Sequence, residues 1–242
     1  MSSGIEIKNL RKEFGTLTAV DDLSLTIREG EIFAFLGVNG AGKTTTIRML
    51  TGLTKPTSGD ALVLGHSILT ELNEVKKLCN LSPQETSVAP NLTVRENLDF
   101  IAGIYGIDKE ETQKREAEIL ENFDLAEVWD KKAKTLSGGY QRKVSIAMAL
   151  ITEPRILYLD EPTLGLDVLA RRELWRIIEQ LRGKVTIVLT THYMEEAEAL
   201  SDRIAIMVKG KKAAEGTLTE LRTLTGKEKL EDIFVSIVEE KA

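Results

Sequence analysis

Gly37-Val38-Asn39-Gly40-Ala41-Gly42-Lys43-Thr44 is the stretch whose reading decides the fold. Its spacing is G-x-x-x-x-G-K-[ST]. An apolar, β-rich run, Ile32-Phe33-Ala34-Phe35-Leu36, leads into it, and a helix-compatible run over 45–50 leads out. Glycine permits backbone angles that a Cβ blocks, so successive N–H groups can turn inward around phosphate oxygens. A helix starting near Gly42 aims its positive dipole end at the same oxygens. Lys43 then supplies a point charge for β- and γ-phosphates, and the Thr44 hydroxyl an oxygen ligand for Mg²⁺.

The flanks extend this pattern. Residues 156–159 and 185–189 are continuous apolar runs, as expected of parallel strands buried on both faces. Between them Leu174, Ile177, Ile178 and Leu181 fall at i, i+3, i+4 and i+7, one buried helix face. Residues 203–208 read as a further strand and Gly210 as a turn. Ile156-Leu157-Tyr158-Leu159 ends in Asp160-Glu161. Ligands of open α/β sheets sit at the carboxyl ends of the strands. Asp160 is therefore placed to hold the Mg²⁺ shell, directly or through water. Glu161, one step further, is placed to polarise a water aimed at a γ-phosphate.

Towards the N-terminus, 5–14 and 23–27 alternate with period 2, 55–60 is a turn cluster, and 61–64 a short strand. From 84 to 150 the texture is helical. Thr93-Val94-Arg95-Glu96 is a capping box opening a helix to about residue 105. Residues 108–123, rich in Glu and Lys, predict a second, solvent-facing helix. Leu136-Ser137-Gly138-Gly139-Tyr140-Gln141 is a second glycine-bearing helix start, with Ser137 as cap, running to about residue 150. Taken alone, the string reads first as a capped helix after a Gly-Gly turn, with another anion site as the sharper alternative. Residues 227–242 predict a short amphipathic helix with a polar end.

Composition narrows the class. The 242 residues carry 32 Lys and Arg against 38 Asp and Glu, a formal net charge of −6, which argues against a broad nucleic-acid footprint. Cys79 is the single cysteine, so no intrachain disulfide can form. No apolar run reaches the roughly eighteen residues needed to span a bilayer, and Met1-Ser2-Ser3-Gly4 has neither the charged nor the apolar part of a signal peptide. His66 is expected to be structural, and Lys131, Lys132 and Lys134 to form a solvated loop.

Taken together, the phosphate loop, Gln84, the Ser137-Gly138-Gly139 helix start, Asp160-Glu161, Leu166-Asp167 and His192 occur in the order and spacing of ATP-binding cassette (ABC) ATPases, and the resemblance covers about 5–208. It implies an α/β P-loop NTPase (RecA-like) parallel core with an N-terminal antiparallel β subdomain and an inserted α-helical subdomain. One domain is expected, with the core over 1–83 and 151–226, the insertion over 84–150 and a tail over 227–242. ATP and Mg²⁺ are the implied cofactors. Phe14 resembles the aromatic that stacks on adenine, and Val20 would pack on the nucleotide from the other side. Asn39, Gly40, Ala41, Gly42, Lys43, Thr44 and Thr45 would bind the phosphates, and Thr44, Gln84 and Asp160 would serve the metal. Glu161, His192, Lys43 and Gln84 would be catalytic. Ser137, Gly138, Gly139 and Asp167 resemble the segments that reach ATP held by a second copy. Tyr140 stands where the family often has Gln. The implied partners are a second ATPase subunit, as a homodimer, and a separate membrane permease docking near 81–98 from the inner face of the membrane. The string 91–98, Gly165-Leu166-Asp167 and Leu230-Glu231-Asp232-Ile233-Phe234 resemble exporter-type bacterial or archaeal subunits. The alternatives are a soluble assembly factor and an ATP-gated switch with little turnover.

Overall fold

The computed structural model describes residues 3–241. Two antiparallel strands open the chain, β1 (Ser3–Phe14) and β2 (Leu17–Arg28), followed by β3 (Ile32–Leu36) and α1 (Lys43–Leu50). β4 (Ser58–Val63), β5 (His66–Ser67), α2 (Leu72–Leu78) and β6 (Cys79–Ser82) come next. Three helices, α3 (Val94–Ile104), α4 (Lys109–Asn122) and α5 (Gly138–Leu150), fill the middle. Then α/β alternation resumes with β7 (Ile156–Asp160), α6 (Val168–Gln180), β8 (Thr186–Thr191), α7 (Met194–Leu200) and β9 (Arg203–Val208). β10 (Lys211–Gly216), α8 (Leu218–Thr225) and α9 (Leu230–Lys241) complete the described chain.

The strands form two sheets. One is four-stranded in the order β2-β1-β4-β5, the other six-stranded in the order β10-β9-β3-β8-β7-β6. Strands β9, β3, β8, β7 and β6 run parallel, and β10 pairs antiparallel with β9. The parallel strands are buried on both faces, and successive side chains serve different cores. Ile32, Ala34 and Leu36 of β3 pack with the helices, including α5, α6, α7 and α9. Phe33 and Phe35 pack with α1 and the antiparallel sheet. The central sheet is thus a layer between a β-covered and a helix-covered side.

The helical insertion begins and ends where local chemistry says it should. Thr93 caps α3 in a reciprocal capping box with Glu96, Asp108 caps α4, and Ser137 caps α5. Leu174, Ile177 and Ile178 are the buried face of α6, while Leu181 sits just past its end, partly exposed. His66 pairs with Glu71 through Nδ1 at 3.0 Å, the structural role expected of it. The basic loop is tied down by backbone: Val94 N–H donates to Lys131 O, and Lys132 bridges to Thr93.

Several elements differ from expectation. β2 begins at Leu17, not residue 23, and β4 reaches back into the turn cluster at Ser58. β5, α2, β6, α7, β10 and α8 have no counterpart in the sequence reading. The segment expected as a tail is integral: Leu230, Ile233, Phe234 and Ile237 of α9 join the main core. Residues 1, 2 and 242 lie outside the described residues, as does the last position of that expected helix.

One buried carboxyl in the insertion gives the fold a pH signature. Glu116 of α4 is 6% exposed, and its Oε1 has no partner among the described residues. Burial first, then the charge of Asp99 on α3, push this carboxyl up to about 7, against the opposing charge of Arg95. The folded protein therefore favours the protonated form. The stability this confers is complete below about pH 4.5, the unfolded value, and is lost as pH rises through about 7. Glu116→Gln should flatten the fall in Tm between about pH 5 and 7.5 and raise Tm at pH 8 relative to the parent, as read by thermal denaturation across a pH series.

Candidate nucleotide site

The site lies where the parallel strands end together. Leu36 of β3 pairs with Thr191 of β8, and Asp160 of β7 pairs with Thr190. This register brings the phosphate loop, Asp160-Glu161 and His192 to one edge of the sheet. A cavity of about 670 Å³ opens there, lined by Asn39 to Thr45, Gln84, Glu161, Leu164 and His192. Phe14, Leu17, Thr18, Ala19 and Lys209 complete its wall.

The phosphate loop depends on its glycines. Gly42 has φ +100°, and a Cβ there would lie 2.5 Å from the carbonyl oxygen of Ala19. The Gly42 carbonyl accepts from Thr46 N–H, which starts α1 under the loop. Lys43 is buried at 5% exposure. Its Nζ donates to the carbonyls of Gly37 at 2.8 Å and Val38 at 3.2 Å, and pairs with Glu161 Oε1 at 3.3 Å.

Asp160 Oδ1 accepts from the hydroxyls of Thr44 at 2.9 Å and Thr190 at 2.5 Å. Hydroxyl and carboxylate oxygens converging on the floor of a phosphate cradle, with Gln84 in its wall, form the hard oxygen donor set that suits Mg²⁺. Glu161 takes a left-handed backbone, φ +49°, uncommon for a residue with a Cβ. Its N–H donates to the Thr190 carbonyl at 3.1 Å and to Thr190 Oγ1 at 3.0 Å, and its carbonyl accepts from Leu164 N–H, which hold that conformation. Glu161 Oε2 lies 2.8 Å from His192 Nδ1. An ionised carboxylate only accepts, so the Nδ1–H of His192 is the donor in this contact.

The remaining expected residues divide cleanly. Phe14 stands at the rim, half exposed, with Lys12 Nζ 4.9 Å from its ring centre. Val20 is corrected: it is fully buried in the core beneath the antiparallel sheet, its Cγ2 against the Gly42 position, and Leu17, Thr18 and Ala19 face the cavity instead. A register shift between the Leu23 and Val20 pairings breaks the alternation of β2, and both residues turn into the same core. Ser137, Gly138, Gly139 and Asp167 do not line this cavity. They form a second cluster: a Cβ on Gly138 would sit 3.9 Å from Leu166, and one on Gly139 3.0 Å from Ala170. Asp167 caps α6, accepting from Leu169 N–H at 2.9 Å and Ala170 N–H at 3.0 Å. Val168 and Leu169 beside it are exposed. Sequence reasoning missed Thr190, whose hydroxyl joins Asp160 to the Glu161 backbone. Its signal was a Thr-Thr pair ending an apolar strand just before His192. It also missed Lys209, which enters from the β9–β10 turn with no motif around it.

A parallel sheet with a phosphate loop, a strand-end carboxylate pair and an inserted three-helix unit defines a nucleotide-binding cassette of the P-loop class. The family described as ABC transporter matches residues 20–164. The chain is 39% identical over 237 residues to the linearmycin resistance ATP-binding protein LnrL of Bacillus subtilis, covering 98% of this chain and 76% of that protein. It is 44% identical over 212 residues to human phospholipid-transporting ATPase ABCA3, covering 86% of this chain but only 12% of that relative's length. A solved dimeric structure of a post-hydrolysis state of the ATP-binding cassette MJ0796, bound to ADP and Pi, superposes with a TM-score of 0.78 at 27% identity, covering 88% of this chain and 98% of that one. The chain belongs to the ABC transporter family.

Gly42→Ala tests the cradle directly. The added methyl meets the Ala19 carbonyl at 2.5 Å and strains a positive φ. ATP affinity measured calorimetrically should fall at least tenfold while Gly103→Ala, at an open position on α3 with ordinary helical backbone, leaves it unchanged.

Proposed function

We propose that this chain binds and hydrolyses MgATP as one half of a head-to-tail pair of identical copies, and that the cycle drives a separate membrane permease in the direction of export. The observation that carries this is the separation of the two glycine-bearing helix starts. The one at Gly42 lines the cavity, and the one at Ser137 lies outside it beside Asp167. A single copy therefore walls only one side of a triphosphate. The opposite wall would come from Ser137, Gly138, Gly139 and Asp167 of a second copy.

Phosphoryl transfer asks for charge compensation and an aligned water rather than covalent help. Asn39 to Thr45 would cradle the phosphates and Phe14 would stack on the base. A γ-phosphate oxygen would compete with Glu161 for Lys43, releasing a carboxylate to accept a proton from the attacking water. His192 would orient Glu161 through Nδ1 and face the γ-phosphate through Nε2. Thr44, Asp160 and Gln84 would hold Mg²⁺, which would supply charge neutralisation to the phosphates. ATP favours the closed pair because its γ-phosphate touches both copies, and hydrolysis removes that differential contact.

No described helix is long and apolar enough to cross a membrane. The docking face for a permease would be the shallow groove between β6, α3 and α5, lined by Leu81, Pro83, Ser87, Ile101, Tyr105 and Met148. Phe100, Ile104, Tyr105 and Leu53 are exposed around it, an apolar rim suited to a short amphipathic helix of the permease at the inner membrane face. The export direction is supported by the resistance role in the name of LnrL.

Glu161→Gln should lower steady-state phosphate release by about 10²–10⁴-fold, the range for loss of a general base. It should also accumulate an ATP-dependent dimer by light scattering. Normal turnover in that variant would reject Glu161 as base, and a strictly monomeric variant at saturating MgATP would reject the shared site. Affinity purification with a six-helix membrane protein is the expected result in native membranes. A tight complex with soluble proteins alone would favour the assembly-factor alternative, and absent phosphate release even with the permease would favour the switch.

A further inference from the structure

Arg142 lies on α5, about one and a half turns beyond Ser137, and is 3% exposed. No motif in the sequence singles it out. Its guanidinium leaves α5 and crosses to the segment after β6, where Nη1 donates to the Pro83 carbonyl at 2.6 Å and Nη2 to the Gln84 carbonyl. One turn further, on the same face of the helix, Ser145 Oγ meets Ser82 Oγ at 2.9 Å. Residues 82, 83 and 84 are thus fastened to α5 in succession. On the other side of Ser137, Gln141 Nε2 donates to the carbonyls of Ala133 and Leu136, both at 3.2 Å, which fixes the approach to the helix start.

The fastening is strong for its type. A fork of planar donors on two neighbouring carbonyls fixes orientation as well as distance, and a lysine has one point charge to offer in its place. Proline at 83 stiffens the recipient segment. Asp160 and Glu196 are the acidic groups acting on the Arg142 charge. Glu196 is itself fully buried, accepting from Thr163 Oγ1 at 2.8 Å and Trp175 Nε1 at 3.1 Å.

We infer that Arg142 is a positioning residue that makes the Gln84 loop and the Ser137 helix start a single mechanical body. Gln84 lines the cavity of its own copy, and Ser137 stands outside it. A displacement of the Gln84 backbone on nucleotide engagement is then carried through about one and a half helical turns to the segment offered to the second copy. One copy's site is thereby linked to the presentation of its own signature segment. This role presupposes the paired-copy function proposed above.

The test separates the two. Cys79 is buried, with its thiol pushed up to about 12 by burial, so spin labels placed through Glu85→Cys and Lys134→Cys report selectively on the loop and the helix approach. In the monomeric chain the label-to-label distance should be narrowly distributed, and ATP should shift both labels together relative to a third label on α6. Arg142→Met should broaden that distribution while ATP affinity stays within about twofold. In steady state the same variant should lose at least tenfold in kcat, with KM little changed and the Hill coefficient falling towards 1. Arg142→Lys, which can reach one carbonyl, should recover part of each effect. A distribution as narrow in Arg142→Met as in the parent, with unchanged cooperativity, would overturn the role. A parent chain that never dimerises would overturn the paired-copy function instead, and the monomer distance measurement would still decide the fastening.

Discussion

The registration of three parallel strands governs everything else in this molecule. β3, β8 and β7 end in step, with Phe35 opposite Thr190 and Thr190 opposite Asp160. Both faces of these strands are buried, so a slip of one residue would exchange Ile32, Ala34 and Leu36 with Phe33 and Phe35 between two differently shaped cores. The packing of apolar side chains far from any nucleotide therefore sets, to within a hydrogen bond, where the phosphate loop stands relative to two carboxylates and a histidine. Thr190 is where that registration becomes chemistry, because one hydroxyl on the middle strand reaches both Asp160 and the backbone of Glu161.

The charged groups at the strand ends are held as a chain. Lys43 satisfies two loop carbonyls and Glu161, and Glu161 in turn meets His192. Buried charges persist only when paired and hydrogen-bonded, so this arrangement keeps a concentrated site compatible with a stable fold. The left-handed backbone of Glu161 fits the same pattern: a locally unfavourable conformation persists because several bonds over-determine it.

Features that rest on local chemistry were legible in the sequence. The caps at Thr93 and Ser137 announce themselves within four residues and open helices where expected, while Asp108, read only as the start of a charged helix, proves to cap α4. The strands around the phosphate loop were legible because double burial leaves an unbroken apolar run. β10 was not: Lys-Lys-Ala-Ala-Glu-Gly has no strand character of its own and is extended because β9 offers it an edge. α2 buries only Val75, too little for a periodic signal. Val20 was placed on the nucleotide by resemblance alone, and the register shift that turns it into the core beside Leu23 leaves no mark in the sequence. Arg142 reads as one more cation among many; only packing distinguishes a guanidinium that holds two carbonyls from one bathed in solvent.

β10 has one more effect. A row of parallel strands ending in open hydrogen-bonding groups would invite any similar row to join it. Here the outermost strand is short and antiparallel, and it carries Lys211, Lys212 and Glu215, with a register shift between Lys212 and Ala214. Such strands resist edge-on fusion. For the paired-copy cycle proposed above, closing off that flank would steer encounters away from sticky, irreversible stacking and leave partnership under the control of the fuel.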